Sequence, residues 1–383
     1  MFEMRLNRRS IVLLGAMALL AGCKVVPKGV PVTPPPSDQP SDTLPKDGQR
    51  HRVALLVPMS GPNAAVGQSL ANATTMALLD TNATNLRITT YDTAGGPAAA
   101  AAKAVADGNM LILGPVEADE VAPVATVARA AKIPLIAYVS DDTVARLDVF
   151  ILGTVPENSI SRTVGYAAQK GVRRFAVLAP SGDYGQRAVI DFAGAVQANG
   201  GTLVAKESYE RSNTSIVSAA RRLRAKGGID AVLIADNSRF AVLGAAQIKT
   251  AGAATPRLLG TELWSGEGII ASSPALRGAW FSSVSDTRFR QFAEGYKTRF
   301  GVAPFRISTL GYDSVLLAIR VAREWKPGTA FPTARLGDRG GFLGLDGPFR
   351  FRVGGVVERA LEVREARGGG ITVMSAAPAQ FAD

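Results

Sequence analysis

Residues 53–62 read Val53-Ala-Leu-Leu-Val-Pro-Met-Ser-Gly-Pro62, and this segment already indicates the fold class. The apolar, β-branched run Val53–Val57 is typical of a buried strand. Ser60 and its neighbours have the composition of a turn, and Pro62 suits the first turn of a helix, which we place near 64–80. A strand that passes through a tight turn into a helix predicts the first βα unit of an α/β domain.

The same alternation continues along the chain. From Arg52 onward, short apolar runs rich in β-branched residues alternate with longer stretches of helical periodicity. Glycines such as Gly108, Gly171 and Gly252 follow the helical stretches, where a left-handed cap can end a helix. The pattern predicts parallel sheets flanked by helices, and ligands of such sheets bind beyond the carboxyl ends of the strands.

The N-terminal residues have the pattern of an export signal. Three arginines precede an apolar run at 11–20 that is too short to span a bilayer. The run ends at Leu20-Ala-Gly-Cys23, which resembles the lipobox of bacterial lipoproteins. The resemblance implies that residues 1–22 are removed and that Cys23 carries a lipid anchor. Lys24 stands where an aspartate would retain a lipoprotein in the inner membrane, so the sequence favours the outer membrane.

Residues 23–50 are rich in proline and contain the lipidated cysteine at their start. Such a segment favours extended polyproline II over helix or central strand, so we predict a tether between the lipid and the folded part. The chain has 383 residues, and those that follow the tether suffice for two lobes of ordinary size. With one cysteine in the chain, no internal disulfide is expected.

The chain is basic, with a formal net charge of +11. Basic clusters such as Arg173-Arg174 and residues 221–226 contain no interleaved aromatic residues. Because an exported protein does not meet nucleic acid, we expect no nucleic-acid partner. A solvated face is the leading explanation of each cluster, with anionic envelope polymers or lipid headgroups as the alternative.

Three segments interrupt the βα series, and we interpret each as a crossing between lobes. These segments are 153–159, 281–286 and 328–340. Multiple crossings predict a hinge and a cleft between two lobes, neither of them contiguous in sequence. The predicted boundaries are 51–155 plus about 285–328 for the N-terminal lobe, 156–284 plus about 340–365 for the C-terminal lobe, and 366–383 for a flexible tail.

Several segments resemble the type I periplasmic binding proteins of the leucine/isoleucine/valine-binding class. The opening strand, turn and helix match, and further segments follow in the family's order up to about Val363. These segments are Ala65-Val-Gly-Gln68, Asp183-Tyr-Gly185, Phe292–Pro304, Leu310-Gly-Tyr-Asp-Ser-Val315 and the glycines and phenylalanines of 342–351. The resemblance implies two doubly wound parallel-sheet lobes, joined by a multi-strand hinge, with a ligand cleft between them.

Within that superfamily the chain also resembles the exported lipoproteins called penicillin-binding protein activators. The lipobox, the proline-rich tether and the opening Leu56-Val-Pro-Met-Ser-Gly-Pro62 suit this branch. This resemblance implies a non-catalytic regulator that stimulates a peptidoglycan synthase. Many solute-binding lipoproteins share the first and third features, so a receptor that delivers an amino-acid-like solute to an ABC importer is the alternative.

The ligand site is where these two hypotheses differ. In amino-acid-binding members, loops after two N-lobe strands hold the ligand carboxylate. The first such loop here contains Glu117, which would repel a carboxylate, and the second offers Ser140 among acidic neighbours. Ser60, in the first βα turn, adds a third candidate contact. The usual carboxylate clamp is therefore missing, and we expect no high affinity for common free amino acids.

In the same class an acidic residue of the other lobe holds the ligand ammonium. Glu262 lies at the corresponding place in this chain, and Tyr184 could form the cleft wall beside it. The alternative for Glu262 is an ordinary solvated loop carboxylate. The small-molecule partner would thus be amino-acid-like or derived from peptidoglycan.

Catalysis finds little support in the sequence. The only histidine, His51, precedes the first predicted strand, so no histidine triad or histidine metal site can form. The chain lacks a P-loop and a dinucleotide-binding glycine motif. We therefore predict a protein with no catalytic residues, metal or cofactor, and a wall-active hydrolase is the least supported of the three hypotheses.

Overall fold

The computed structural model describes residues 47–249 and 255–381. The predicted signal peptide, Cys23 and the tether up to Lys46 lie outside the described residues. Within the described part, no helix is long and apolar enough to cross a membrane.

The N-terminal lobe is built on a parallel sheet with the strand order β2-β1-β3-β4-β5. Its strands are β1 (His51–Val57), β2 (Leu86–Asp92), β3 (Ile112–Leu113), β4 (Leu135–Ala137) and β5 (Val149–Ile151). Its first helices are α1 (Ala64–Asp80), α2 (Pro97–Ala106) and α3 (Ala118–Ala130). The predicted strand, turn and helix at the start of the fold are thereby confirmed.

Strand β1 separates two hydrophobic cores because its side chains alternate between the faces of the sheet. Val53 and Leu55 contact one core, together with Leu70 of α1. Ala54 and Leu56 contact the other core, beneath α2 and α3. All four β1 residues are fully buried, so this strand packs helices on both of its faces.

The C-terminal lobe follows the same plan. Its parallel strands are β6 (Arg174–Pro180), β7 (Thr202–Tyr209), β8 (Ala231–Ile234), β9 (Arg257–Leu259) and β10 (Trp280–Ser283), in the spatial order β7-β6-β8-β9-β10. Its helices are α4 (Pro156–Gln169), α5 (Asp183–Ala198), α6 (Ser215–Lys226), α7 (Ser238–Ile248) and α8 (Gly268–Ser272). The predicted α/β fold with two parallel-sheet lobes is confirmed.

The chain then returns to the N-terminal lobe. Helices α9 (Asp286–Phe300) and α10 (Ser308–Ala322) pack on α1, and a small antiparallel sheet follows. Its strands are β11 (Phe342–Gly344), β12 (Gly347–Phe351) and β13 (Val357–Arg359). Phe342, Phe349 and Phe351 join the core that contains Val53 and Leu55. This sheet therefore belongs to the N-terminal lobe.

The third crossing lies later in the chain than predicted. Within the described residues the chain passes between lobes at 152–155, 284–285 and 360–361. The prediction for 328–340 is wrong, because Phe331 and Leu336 are buried in the N-terminal core. The assignment of 340–365 to the C-terminal lobe is correspondingly wrong up to Arg359.

The predicted flexible tail at 366–383 also requires correction. Strand β14 (Glu362–Arg367) pairs antiparallel with β10, and β15 (Gly370–Ser375) pairs antiparallel with β14. Arg162 of α4 anchors the end of β15, since its Nη2 atom donates to Ser375 Oγ over 2.7 Å. Residues up to Ser375 are thus an integral part of the C-terminal sheet.

Truncation of the chain after Arg367 should lower the free energy of unfolding by about 2–4 kcal/mol, because each lost interstrand hydrogen bond contributes about 0.5–1.5 kcal/mol. Truncation after Ala376 keeps β15 and the contacts of Arg162, and should match the full chain. Denaturant unfolding measures both variants. Equal stability of the two truncations would contradict a structural role for β15.

Candidate ligand-binding site

A cavity of about 780 Å³ lies between the lobes, at the carboxyl ends of the parallel strands. Tyr138 and Ser140, which follow β4, line it from the N-terminal lobe. Thr154 and Val284 line it from two of the crossings, and Glu262, which follows β9, lines it from the C-terminal lobe. Two of the predicted site residues, Ser140 and Glu262, are thus brought together in one cleft.

Glu262 sits in a single 3-10 turn, Glu262–Trp264, directly after β9 and Gly260-Thr261. Thr261 fixes the start of this turn, because its Oγ1 atom accepts a hydrogen bond from the Leu263 amide over 3.4 Å. Glu262 is half-buried, and burial raises the pKa of its carboxyl above the usual range. A buried carboxyl favours either a proton or a cationic partner.

Hydrogen bonds to Glu262 are compatible with a protonated carboxyl. Its Oε2 atom lies 2.5 Å from Ser159 Oγ, and its own amide donates to the same hydroxyl over 3.1 Å. Ser159 has a single proton, and its hydroxyl also lies 3.0 Å from the Pro156 carbonyl. If Glu262 donates its proton to Ser159, that hydroxyl can donate to Pro156, and every partner is satisfied.

Tyr184 lies behind Glu262 and does not line the cavity. Its hydroxyl donates to Glu262 Oε1 over 3.2 Å and lies 3.1 Å from Thr261 Oγ1. The Arg211 guanidinium lies 5.8 Å from the centre of the Tyr184 ring and bonds the buried carboxylate of Asp236. Tyr184 therefore orients the Glu262 carboxyl from the side that faces away from the cavity.

Ser60 and Glu117 also lie outside the cavity lining. Ser60 Oγ donates to Asp92 Oδ2 over 2.7 Å, and this bond together with the Met59 amide lowers the pKa of Asp92. Glu117 Oε1 accepts a hydrogen bond from Asn63 Nδ2 over 2.5 Å. These contacts tie the turn after β1 to its neighbours at the edge of the sheet, which is a structural role.

The N-terminal wall carries two arginines that the sequence analysis missed. Arg290, on α9, lines the cavity, is exposed and forms no ion pair with any residue of 47–249 or 255–381. Arg306 precedes α10, and its guanidinium lies over the ring of Phe289 at 4.4 Å. Arg306 Nη2 also lies 2.7 Å from Asp346 Oδ1. Both arginines follow the second crossing in the chain. Neither belongs to the loops after the N-lobe strands, where the sequence analysis expected the groups that bind a ligand carboxylate.

The two walls of the cleft therefore carry opposite charge. Arg290 and Arg306 lie on the N-terminal side, and Glu262 and Glu267 lie on the C-terminal side. Two aspartates also line the cavity, but each is paired with an arginine: Asp346 with Arg306, and Asp286 with Arg364. Arg290 is therefore the unpaired cation of the N-terminal wall among the described lining residues. Glu267 accepts a hydrogen bond from Ser238 Oγ over 3.1 Å. Such a cleft can bind a carboxylate at one wall and an ammonium at the other.

Ion pairs between the lobes border the cleft. Arg187 of α5 lies 3.6 Å from Asp141 and 3.9 Å from Asp142, both in the loop after β4. Arg352, in the turn between β12 and β13, lies 2.5 Å from Glu157 of α4. These pairs hold the described arrangement of the two lobes.

A buried charge network connects the hinge with the basic wall. Arg359, at the end of β13, donates to the Leu152 carbonyl over 2.7 Å and lies 4.0 Å from Asp313. Burial and repulsion from Asp346 raise the pKa of Asp313. Asp346 in turn pairs with Arg306 at the cleft surface. The position of Arg306 is thus connected to the hinge through charged side chains.

No group of His, Cys, Asp or Glu within residues 47–249 and 255–381 is arranged to hold a metal ion. His51 is the first residue of β1, rather than part of a linker. Its ring is buried and stacks on Trp325 at 4.1 Å between centroids. Burial lowers the pKa of His51. Its ring therefore packs in the N-terminal core, beside Trp325.

Asp191 of α5 should make stability depend on pH. Burial, with repulsion from Asp142 and Glu157, raises the pKa of Asp191 to about 7. Between pH 4 and pH 7 the folded state holds a proton on Asp191 that the unfolded state has lost. The free energy of unfolding therefore contains the full contribution of this group below the unfolded-state pKa of about 4, and loses it as the pH rises through 7. Above pH 7, Asp191→Asn should therefore be more stable than the native chain by about 1–2 kcal/mol, a value reduced for partial exposure.

Denaturant unfolding between pH 4 and pH 8 measures this difference. Glu294→Gln, at an exposed position of α9, is the matched control and should follow the native pH profile. A constant difference between Asp191→Asn and the native chain across this range would contradict the assignment.

Comparisons with known proteins agree with this architecture. The family model described as periplasmic binding protein matches residues 51–370. The uncharacterized protein RP748 of Rickettsia prowazekii is 26% identical over 180 residues, which cover 46% of this chain. The chain spans about half the length of that curated relative, 48%.

Solved structures share the fold. A protein of Rhodospirillum rubrum, proposed to be a branched-chain amino acid ABC transporter, gives a TM-score of 0.75 at 19% identity over 85% of this chain and 100% of that chain. The substrate-binding protein LivJ of Streptococcus pneumoniae, in complex with isoleucine, gives a TM-score of 0.60 at 18% identity, and the match covers 86% of this chain and 100% of that chain. A solute-binding protein of R. palustris, in complex with benzoate, gives a TM-score of 0.58 at 18% identity, and the match covers 87% of this chain and 98% of that chain.

At these identities the structural likeness establishes the fold alone, whereas the family match covers most of the chain. Two lobes that enclose a cleft at the carboxyl ends of their strands are the architecture of that family. This chain belongs to the periplasmic binding protein family.

Proposed function

We propose that this protein is a non-catalytic, extracytoplasmic receptor that binds a small amino-acid-like zwitterion in the cleft between its lobes. The opposite charge of the two walls carries this proposal. Arg290 and Arg306 offer a site for a carboxylate, and Glu262 offers a site for an ammonium. Arg306 is already paired with Asp346, so a zwitterion that spans both walls would supply the partner that Arg290 and Glu262 lack.

The rest of the cavity suits a ligand with an apolar side chain. Phe289, Ile307 and Leu310 line it on the N-terminal side. Its volume of about 780 Å³ falls within the usual range for small-molecule sites. Isoleucine and benzoate are bound by two proteins of the same fold, and both ligands combine a carboxylate with an apolar group.

Binding at both walls would couple the ligand to the relative position of the lobes. A ligand that contacts both walls binds best when the lobes are close together, and so increases the population of that state. The pairs of Arg187 with Asp141 and of Arg352 with Glu157 would stabilise the same state. In this proposal, the closed receptor delivers its ligand to an ABC importer.

A second candidate is a regulator of a peptidoglycan synthase, of the penicillin-binding protein activator type. It is supported by the loop after β3, residues 114–117, which contains no hydroxyl side chain and in which Glu117 accepts a hydrogen bond from Asn63. The lipobox-like Leu20–Cys23 and the proline-rich tether add to it, with an outer-membrane lipid anchor as the proposed location. In that role the cleft would bind a wall-derived peptide or no small ligand.

A thermal-shift series on the full chain separates the two candidates. The probes are the twenty amino acids and a set of wall-derived peptides. A ligand at a thousandfold excess over its Kd stabilises by about 4 kcal/mol, which should raise the Tm by several degrees. A shift with free amino acids supports the importer receptor, and a shift with wall peptides alone supports the regulator.

Cleft variants test the same proposal from the protein side. Arg290→Gln and Glu262→Gln should each weaken binding of the stabilising amino acid by about 10- to 100-fold, because each removes a charged hydrogen bond. Arg323→Gln is the control, since Arg323 is exposed on the same lobe and lies outside the cavity lining. Calorimetric titration measures the three affinities, and equal affinities of all variants would contradict the proposed site.

A further inference from the structure

A second cavity, of about 420 Å³, lies at the amino ends of the parallel strands of the C-terminal lobe, on the side of the sheet away from the ligand cleft. Arg257 and Trp280 line it, and these are the first residues of β9 and β10. The ligand cleft begins instead at the carboxyl ends of the same strands, where Glu262 and Ser283 lie. The two cavities are therefore separated by the length of the sheet, and none of the proposed ligand contacts uses the second one.

Four cations line this second cavity, against one carboxylate. The cations are Lys170, Lys249, Arg257 and Arg277, and the carboxylate is Asp230. Asp230 already accepts hydrogen bonds from the amides of Arg173 and Arg174, over 3.0 and 2.8 Å. Within residues 47–249 and 255–381, none of the four cations forms an ion pair.

Neutral groups hold these cations in place. Lys249 Nζ donates to the Arg277 carbonyl over 2.6 Å. Arg257 Nη1 donates to the Gly278 carbonyl over 2.5 Å, and its guanidinium stacks on Trp280 at 4.2 Å. Burial, together with the charges of Arg257 and Arg277, lowers the pKa of Lys249. These contacts fix the positions of the cations, but neutral groups do not cancel their charge.

Nearby negative groups reduce this charge without cancelling it. Glu365 of β14 accepts hydrogen bonds from Trp280 Nε1 and Arg367 Nε, each over 2.8 Å, and also interacts electrostatically with Arg257. The charge of Arg367 balances that of Glu365, so the pair adds no net charge. Helices α4 and α7 end beside Lys170 and Lys249, and each helix C-terminus contributes about half a negative charge. The cations exceed Asp230 by three charges, so an excess of about two positive charges remains.

We propose that this cavity is a binding site for the phosphate group of an anionic ligand. A phosphate dianion matches the residual charge, and guanidinium groups bind phosphate oxygens through paired N–H donors. Lys249 adds a compact charge between the two arginines. The phosphate could belong to a lipid headgroup or to a water-soluble phosphate ester, and both sources offer the same group to the site.

Titration of the full chain with inorganic phosphate, at constant ionic strength, tests the site. The double variant Lys249→Gln/Arg277→Gln should raise the phosphate Kd at least tenfold. The control Lys206→Gln/Arg239→Gln removes one lysine and one arginine from exposed positions of the same lobe, and should bind phosphate like the native chain. Both double variants change the net charge equally.

Two results would overturn the proposal. One is the absence of saturable phosphate binding by the native chain, and the other is an equal loss of binding in both double variants, which would indicate net charge alone. Flotation with vesicles of phosphatidylglycerol and phosphatidylcholine, compared with phosphatidylcholine alone, identifies the source. Loss of phosphatidylglycerol binding in the Lys249/Arg277 variant supports a headgroup, and loss of phosphate binding alone supports a soluble ester.

Discussion

Two buried arginines hold the three crossings together, and the arrangement of the lobes depends on them. Arg359 donates to the carbonyl of Leu152 in the first crossing, and it is the last residue of β13, directly before the third crossing. Arg364, just after the third crossing, bonds the carbonyl of Val284 in the second over 2.8 Å. Guanidinium groups suit this task because one side chain can bond several partners at fixed angles.

These buried charges are also connected to the cleft surface. Arg359 lies against Asp313, whose neighbour Asp346 pairs with Arg306 on the cleft surface. A change of hinge geometry would therefore alter the basic wall, because buried charges tolerate separation poorly. On the other side, Ser159 and Tyr184 hold the carboxyl of Glu262. In the proposed function, a bound zwitterion would add a partner for Arg290 at one wall and for Glu262 at the other.

Local sequence was sufficient to predict the sheets and the side of them on which two candidate residues lie. The continuous apolar run Val53–Val57 and the glycine caps after the helices predict β1 and its βα units. Ser140 and Glu262 both line the cleft, because residues that directly follow parallel strands gather at the carboxyl ends of those strands, and their role as ligand contacts stays a prediction. Neither inference required knowledge of distant contacts.

The remaining features depend on contacts between distant residues. The predicted flexible tail contains instead a hairpin, since Gly368 and Gly369 form the tight turn between β14 and β15, in which Gly369 has a φ of +86°. The glycines at 328–340 suggested a crossing, but the buried phenylalanines that follow them keep the chain in the N-terminal lobe. Arg290 and Arg306 reach the cleft only because the chain crosses twice before them. No local pattern distinguishes them from surface arginines.

The most direct test of the two-walled cleft varies the ligand. The amino acid that stabilises the chain most is titrated calorimetrically beside its N-acetylated form, which lacks the ammonium, and its amide, which lacks the carboxylate. If Glu262 and the two arginines each bind one end, the zwitterion should bind at least ten times more tightly than either blocked form, as expected from a lost charged hydrogen bond of about 1.5–3 kcal/mol. Equal affinity of the three compounds, or no binding by any amino acid, would contradict the account.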